Sequence, residues 1–116
     1  MGAWGTGIFE DDVALDVRGT FEDALASGAS PEEAGAAVLE EYGDALEDMD
    51  DGPIILFALA DLQLEKGHLE ESIQRRALEA IEEGTHLSRW EDAGGEALAG
   101  RRRAIEELRQ RLLRQR

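Results

Sequence analysis

Residues 54–66 form the segment that most restricts the fold of this chain, because their apolar side chains lie on almost every side of a helix. Only positions 61, 63, 65 and 66 of the segment are polar. A helix that is apolar nearly all round is stable in water only when other elements cover it. With 116 residues, the chain has the usual length of one domain. The sequence therefore predicts a buried helix, Ile54 to about Lys66 and opened by Gly52-Pro53, at the centre of one domain.

Four further stretches each carry a single apolar stripe at helical spacing, and they predict amphipathic helices that cover the central one. These stretches are residues 12–28, 31–46, 69–83 and 96–114. Ser30, Pro31 and Glu33 match an N-cap, a first helical position and a capping box. Glycines that predict helix ends follow three of the helices: Gly28, Gly67 and Gly84. We therefore expect an all-α fold, a compact single-domain bundle of about five helices.

The predicted domain spans residues 1–116, with a glycine-rich lead-in at residues 1–10 and a basic terminal helix at residues 96–114. The whole chain has 12 basic and 27 acidic residues, a formal charge of −15. Residues 101–116 nevertheless hold seven arginines and two glutamates, a charge of +5, which leaves −20 for residues 1–100. A basic helix beside an acidic body predicts either an intramolecular clasp or head-to-tail attraction between copies.

The negative charge also restricts the classes of partner. It repels nucleic-acid phosphates and anionic lipid, so we expect neither a nucleic acid nor a membrane as partner. A basic protein is the electrostatically favoured partner, while solubility alone is the alternative reason for the charge. The longest apolar run, residues 53–60, is too short to span a membrane, and the N-terminus lacks the features of a secretory signal. We expect a cytoplasmic location.

Residues that could perform chemistry are few. Without cysteine there is no thiolate nucleophile or thiolate metal ligand, and the serines that stand at predicted helix ends, caps or loops form no nucleophile elbow: Ser27, Ser30, Ser72 and Ser88. The acidic run at residues 47–52 departs from a calcium loop because Met49 occupies the third, ligating position. We therefore predict no catalytic residue and no cofactor, and we interpret the acidic run as a solvated turn.

Two Glu-x-x-His spacings, Glu65 to His68 and Glu83 to His86, are the candidate metal ligands. Paired spacings of this kind build di-iron sites when each lies on a continuous helix. Here each spacing contains a glycine that predicts a helix end, so we expect the histidines to turn away from their glutamates and predict no metal site. Asp61 is either part of an exposed stripe of the third helix or a buried carboxylate. We expect exposure, because Asp61 shares a helix face with Glu65 at four-residue spacing.

The candidate binding residues are three aspartates on the first turns of the first helix and the two tryptophans within their expected reach: Asp11, Asp12, Asp16, Trp4 and Trp90. The alternative interpretation is that these carboxylates only complement the positive end of the helix dipole.

The opening sequence, MGAWGTGIFEDDVALD, combines Trp-Gly-x-Gly, a phenylalanine, an acidic pair and Ala-x-Asp. It resembles the start of a bacterial family catalogued as domain of unknown function 4259, although members often carry tryptophan where this chain has Val17. Gly52-Pro53 and Leu87-x-x-Trp90 resemble the relatives more loosely. The resemblance implies a small helical bacterial protein and brings no activity with it, because none is assigned to the family.

These observations favour a small acidic protein-interaction module of an inhibitor or immunity type. One alternative is a metal-binding or hydrolytic helical bundle that uses Glu, His and Asp side chains. Another is a self-associating structural protein. For the assembly state of the chain we expect a monomer or a weak homo-oligomer.

Overall fold

The computed structural model describes residues 12–48, 51–84 and 95–114, and these ranges contain five α-helices and one short 3-10 turn. The helices are α1 (Asp12–Ala26), α2 (Pro31–Glu41), α3 (Asp51–Glu65), α4 (Glu71–Glu83) and α5 (Gly95–Arg114), and the turn is Ala45–Glu47. No strand occurs within the described ranges. The predicted all-α bundle is therefore confirmed.

Helix α3 is the centre of the fold, as its sequence predicts. Every residue from position 52 to position 63 is buried, and α3 contacts all four other helices and the 3-10 turn. Helices α1 and α2 pack against each other and against α3, and α4 and α5 form a second such pair. The outer helices contribute the apolar stripes read from the sequence, in which the buried side chains include Val17, Phe21, Val38, Ile73, Ala77, Ile105 and Leu108.

The first helical residues of α3 differ from the predicted ones. We expected Gly52-Pro53 to open the helix at Ile54, but the helix already includes Asp51. The Asp48 side chain accepts a hydrogen bond from the Asp51 N–H (3.0 Å), and the Asp48 carbonyl accepts one from Gly52 (2.9 Å). Asp48 thereby satisfies backbone donors at the start of α3, as an N-capping carboxylate does. Part of the acidic run thus has a structural role.

The predicted start of α2 and the predicted end of α3 are both confirmed. The Ser30 hydroxyl accepts from the Glu33 N–H (3.1 Å), and the Glu33 carboxylate accepts from the Ser30 N–H (2.9 Å), which completes the capping box. Gly67 ends the α3 segment with a φ of +71°, a conformation in which an L side chain would be strained.

Gln63 is fully buried and joins three elements through its side-chain amide. It donates to the Glu70 carboxylate (2.8 Å) and, at 3.5 Å, to the Pro31 carbonyl, and it accepts from the Glu70 N–H (3.1 Å). A Cβ at Gly35 of α2 would lie 2.6 Å from the Gln63 amide nitrogen. Gly35 is therefore the residue that lets α2 approach this buried amide.

The expected exposure of Asp61 is wrong, because the residue is only 8 % exposed. Its carboxylate accepts a hydrogen bond from the Arg111 guanidinium of α5 at 3.0 Å. The four-residue spacing between Asp61 and Glu65 shows that they share a face of α3, but it does not show whether another helix covers that face. The burial comes from α5, fifty residues further along the chain, which covers this face and supplies the compensating charge.

Arg101 is a further buried charged residue, and the sequence analysis did not single it out. Its side chain is fully buried although α5 is mostly polar. The position lies three residues after the half-buried Leu98 and four residues before the buried Ile105, on the same stripe of α5. The helical spacing alone would have placed Arg101 on the inner face.

Candidate interaction site

A groove of about 360 Å³ lies where the 3-10 turn and the first turns of α3 meet the second half of α4. Its floor is apolar and consists of Leu46, Pro53, Leu56 and Ala80. Its charged lining consists of four carboxylates and one guanidinium: Glu47, Asp48, Glu79, Glu83 and Arg76. We call this set of nine residues the acidic groove. It combines a net negative lining with apolar surface.

The acidic groove depends on a close backbone contact between α3 and the preceding turn. A Cβ at Gly52 would overlap the carbonyl oxygen of Leu46, which belongs to the turn that supplies Glu47. Backbone atoms cannot move aside as a flexible side chain can, so glycine at position 52 fixes the distance between the turn and α3. That distance in turn sets where Glu47 and Asp48 stand relative to the floor.

The helix that supplies the other side of the groove ends in negative charge. The last turn of α4 contains Glu82 and Glu83 and no basic residue. A helix C-terminus carries a partial negative charge from its exposed carbonyl groups, so carboxylates there repel it and a cation would be stabilised. Helices α2 and α3 likewise end in glutamate, at Glu41 and Glu65. The carboxylates of the groove therefore stand beside the negative end of the α4 dipole. A bound cation would reduce the repulsion between them.

A second surface depression, of about 480 Å³, follows another face of α4. The described residues that line it all belong to that one helix: Glu71, Gln74, Arg75, Leu78, Glu79 and Glu82. Two of its neighbouring charges, Arg75 and Glu79, have opposite sign at four-residue spacing, which is typical of a solvated helix face. Because the acidic groove draws its walls from several elements and has an apolar floor, it is the better-formed site.

Two of the predicted binding residues, Asp12 and Asp16, fall within the described ranges, and neither lines the acidic groove. Asp12 and Asp16 are exposed on α1, on the side opposite the buried Ala14, Val17 and Phe21. Asp12 is the first residue of the helix, where a carboxylate complements the dipole. The other predicted binding residues, Trp4, Asp11 and Trp90, lie outside the described residues, so their assignment stays a prediction.

The candidate metal ligands fall at separate places. Glu65 and His68 are exposed on either side of Gly67, beyond which the chain leaves α3, whereas Glu83 ends α4 in the acidic groove. His86 lies outside the described residues. Within residues 12–48, 51–84 and 95–114, no group of three or more His, Asp or Glu side chains is arranged to hold a metal ion.

The acidic groove is not predictable from the sequence alone, because its two sides are far apart in the chain. From the sequence, residues 47–52 are predicted to be an isolated solvated turn, and Glu83 is only a metal candidate. Glu79 and Glu83 are four residues apart and so share a helix face with each other. That spacing was the available signal, but it could not show that the acidic turn lies beside it.

No protein-family model, no curated protein and no solved structure matches the chain. The resemblance of residues 1–16 to the domain of unknown function 4259 family therefore stays a prediction. No helix among the described residues combines the length and apolar character needed to cross a membrane.

Proposed function

We propose that the protein is a small interaction module whose acidic groove binds a basic, amphipathic segment of a partner protein. The observation that carries the proposal is the coincidence of four carboxylates with an apolar floor in one concave surface. Arginine and lysine side chains have apolar stems and charged ends, so they match a groove with this combination. Concave apolar surface with a polar edge is also the usual anatomy of a recognition site.

The net charge of the chain supports the same class of partner. A formal charge of −15 attracts basic proteins over distances comparable with the Debye length and accelerates their encounter. Steering by net charge is not selective, whereas the groove adds apolar contacts that a merely basic surface does not satisfy. A partner whose own activity needs its basic residues would be inhibited when the groove covers them, which is the inhibitor or immunity type of role.

Binding of a labelled probe peptide tests the proposal. The probe is an amphipathic peptide with Arg and Leu at helical spacing, followed by fluorescence anisotropy at about 0.15 M salt, where the Debye length is about 8 Å. The groove variant Glu79→Lys with Glu83→Lys reverses two charges of the groove. The matched variant Asp23→Lys with Glu40→Lys makes the same change in net charge at two exposed positions outside it.

We expect the groove variant to weaken binding by at least about tenfold, which corresponds to about 1.4 kcal/mol. The matched variant should weaken binding much less, since it alters only the long-range field. Equal loss in both variants would mean that the probe responds to net charge alone, and the proposed site would be wrong. Because all four substituted residues are exposed, circular dichroism should show the same helix content in both variants.

A further inference from the structure

We infer that the acidic groove also accepts the C-terminal turn of α5 from a second copy of this chain, so that copies associate head to tail. The inference rests on the groove named in the proposed function and assigns it a second kind of occupant. Two complementary surfaces of the same molecule support it. One is the acidic groove, and the other is the end of α5, where an exposed apolar side chain stands beside an exposed arginine.

The C-terminal turn of α5 has the composition that the groove favours. Leu113 is 47 % exposed, and Leu113 and Leu15 are the two large apolar side chains among the described residues that are more than a third exposed. Arg114, the next residue, is also exposed. An exposed leucine next to an arginine offers an apolar contact for the half-buried Leu46 together with a cation for the carboxylates.

The charge distribution favours α5 over the other described helices as the occupant. Among those helices, α5 alone carries basic residues in its last turn, at Arg111 and Arg114. Those cations are stabilised by the negative end of the α5 dipole, whereas α4 ends in Glu82 and Glu83 against its own dipole. The end of α5 and the end of α4 are therefore complementary in sign.

The C-terminal turn of α5 cannot fill the groove of its own molecule as the helix is docked. Helices α3 and α4 form an antiparallel hairpin, joined by residues 66–70. The end of α5 is held near that connection, because Arg111 bonds Asp61 and the carbonyl of Leu112 accepts from Gln74 at the start of α4. The groove lies on the opposite side of α4, because Arg76, its first groove residue, follows Gln74 by two residues, or about 200° around the helix at 3.6 residues per turn. Its far end, at Glu83, is also roughly 14 Å from Gln74 along the α4 axis, at 1.5 Å per residue.

Two complementary surfaces at opposite ends of one molecule produce a heterologous contact, in which each copy offers its α5 end to the groove of the next. Such a contact extends into open chains unless its geometry closes a ring. The net charge of −15 on every copy opposes association at long range, so we expect it to be weak and to require high protein concentration. Salt at about 0.15 M screens that repulsion more than it screens charges in contact.

Sedimentation velocity on the full chain and three variants tests the inference. The tail variant combines Leu113→Ser with Arg114→Glu, and the groove variant combines Glu79→Lys with Glu83→Lys. A control variant, Arg102→Glu, makes the same change in net charge as the tail variant at an exposed position in the first half of α5. The average mass of the wild-type chain and of the control variant should rise with concentration, whereas the tail and groove variants should each stay monomeric.

An equimolar mixture of the tail and groove variants should form dimers and nothing larger. The groove variant retains an intact α5 end, the tail variant retains an intact groove, and only one pairing is then available. Two results would overturn the inference: a wild-type chain that stays monomeric at millimolar concentration, or association that persists in both variants. A wild-type chain that stays monomeric but binds the probe peptide would refute self-association and leave the proposed function in place. A wild-type chain that does not bind the probe, while the two variants still form dimers in the mixture, would refute the proposed function and leave self-association in place.

Discussion

Helices α1 and α2 are held on α3 in a different way from α5. The side chains that α1 and α2 bury are apolar, among them Val17, Phe21 and Val38, and the buried polar contact near them uses the neutral amide of Gln63. Helix α5 also buries apolar residues, but it adds the ion pair between Arg111 and Asp61. Apolar burial tolerates changes in charge, whereas an ion pair with one buried partner does not. The attachment of α5 should therefore be the more sensitive to charge substitution.

The largest expected effect removes apolar volume from the shared centre. Leu59 of α3 is fully buried, and Leu59→Ala should lower the free energy of unfolding by about 2–5 kcal/mol through lost burial and the cavity left behind. Urea denaturation followed by circular dichroism measures it. Leu15→Ala makes the same chemical change at an exposed position of α1 and should cost far less. Similar losses in the two variants would contradict the central position of α3.

The next effect concerns the approach of α2 to Gln63. The added methyl of Gly35→Ala would meet the Gln63 amide nitrogen at 2.6 Å. Because this buried amide can move aside only by weakening its hydrogen bonds to Glu70, the change should cost about 1–3 kcal/mol. Gly19→Ala is the matched control, because a Cβ at that position in α1 meets nothing within 4 Å. It should stabilise the protein by up to about 1 kcal/mol through helix propensity. A stabilised Gly35→Ala variant would show that the buried amide does not need this approach.

The ion pair between α3 and α5 should give an asymmetric pair of effects. Arg111→Ala leaves a carboxylate whose side chain is 11 % exposed without its cation, while Asp61→Ala leaves an arginine that is 41 % exposed and can be hydrated. We expect about 1–2 kcal/mol for Arg111→Ala and less for Asp61→Ala. Hydrogen exchange should show the loss of protection mainly in α5, with α1 and α2 little changed. Uniform loss across all helices would contradict a separate mode of attachment.

The smallest effect tests the capping box that begins α2. Ser30→Ala removes the acceptor of the Glu33 N–H and should cost about 1 kcal/mol, within the range of N-cap substitutions. Ser72→Ala, at an exposed position inside α4, removes a hydroxyl without removing a cap and should change stability little. Denaturation midpoints of the two variants decide between these expectations, and equal midpoints would mean that the cap contributes nothing.

Local signals predicted the helices well because the residues that cause them are neighbours in sequence. Ser30, Pro31 and Glu33 determine the start of α2 within one turn, and Gly84 ends α4 through its own backbone conformation. The burial of α3 was also predictable, since a nearly all-apolar helix has no stable exposed arrangement. These features required no knowledge of which helices pack together.

The errors and omissions involve residues distant in sequence. Asp61 was expected to be exposed because its partner, Arg111, belongs to the last helix. The acidic groove went unnoticed because Glu47 and Glu83 meet only when the 3-10 turn packs beside α4. Charge composition gave the sign of the favoured partner but not the place where it would bind. Tertiary packing determines both the burial of Asp61 and the position of the acidic groove, and helical periodicity does not specify that packing.

The position of α3 in the chain has a consequence for the order in which the protein is made. During synthesis α3 leaves the ribosome after α1 and α2 but before α4 and α5, so only part of its apolar circumference has a covering helix at that time. The remaining face stays in contact with solvent, or with a chaperone, until the last two helices emerge. Slow translation of residues 66–114 would therefore prolong the interval in which the nascent chain is prone to aggregate.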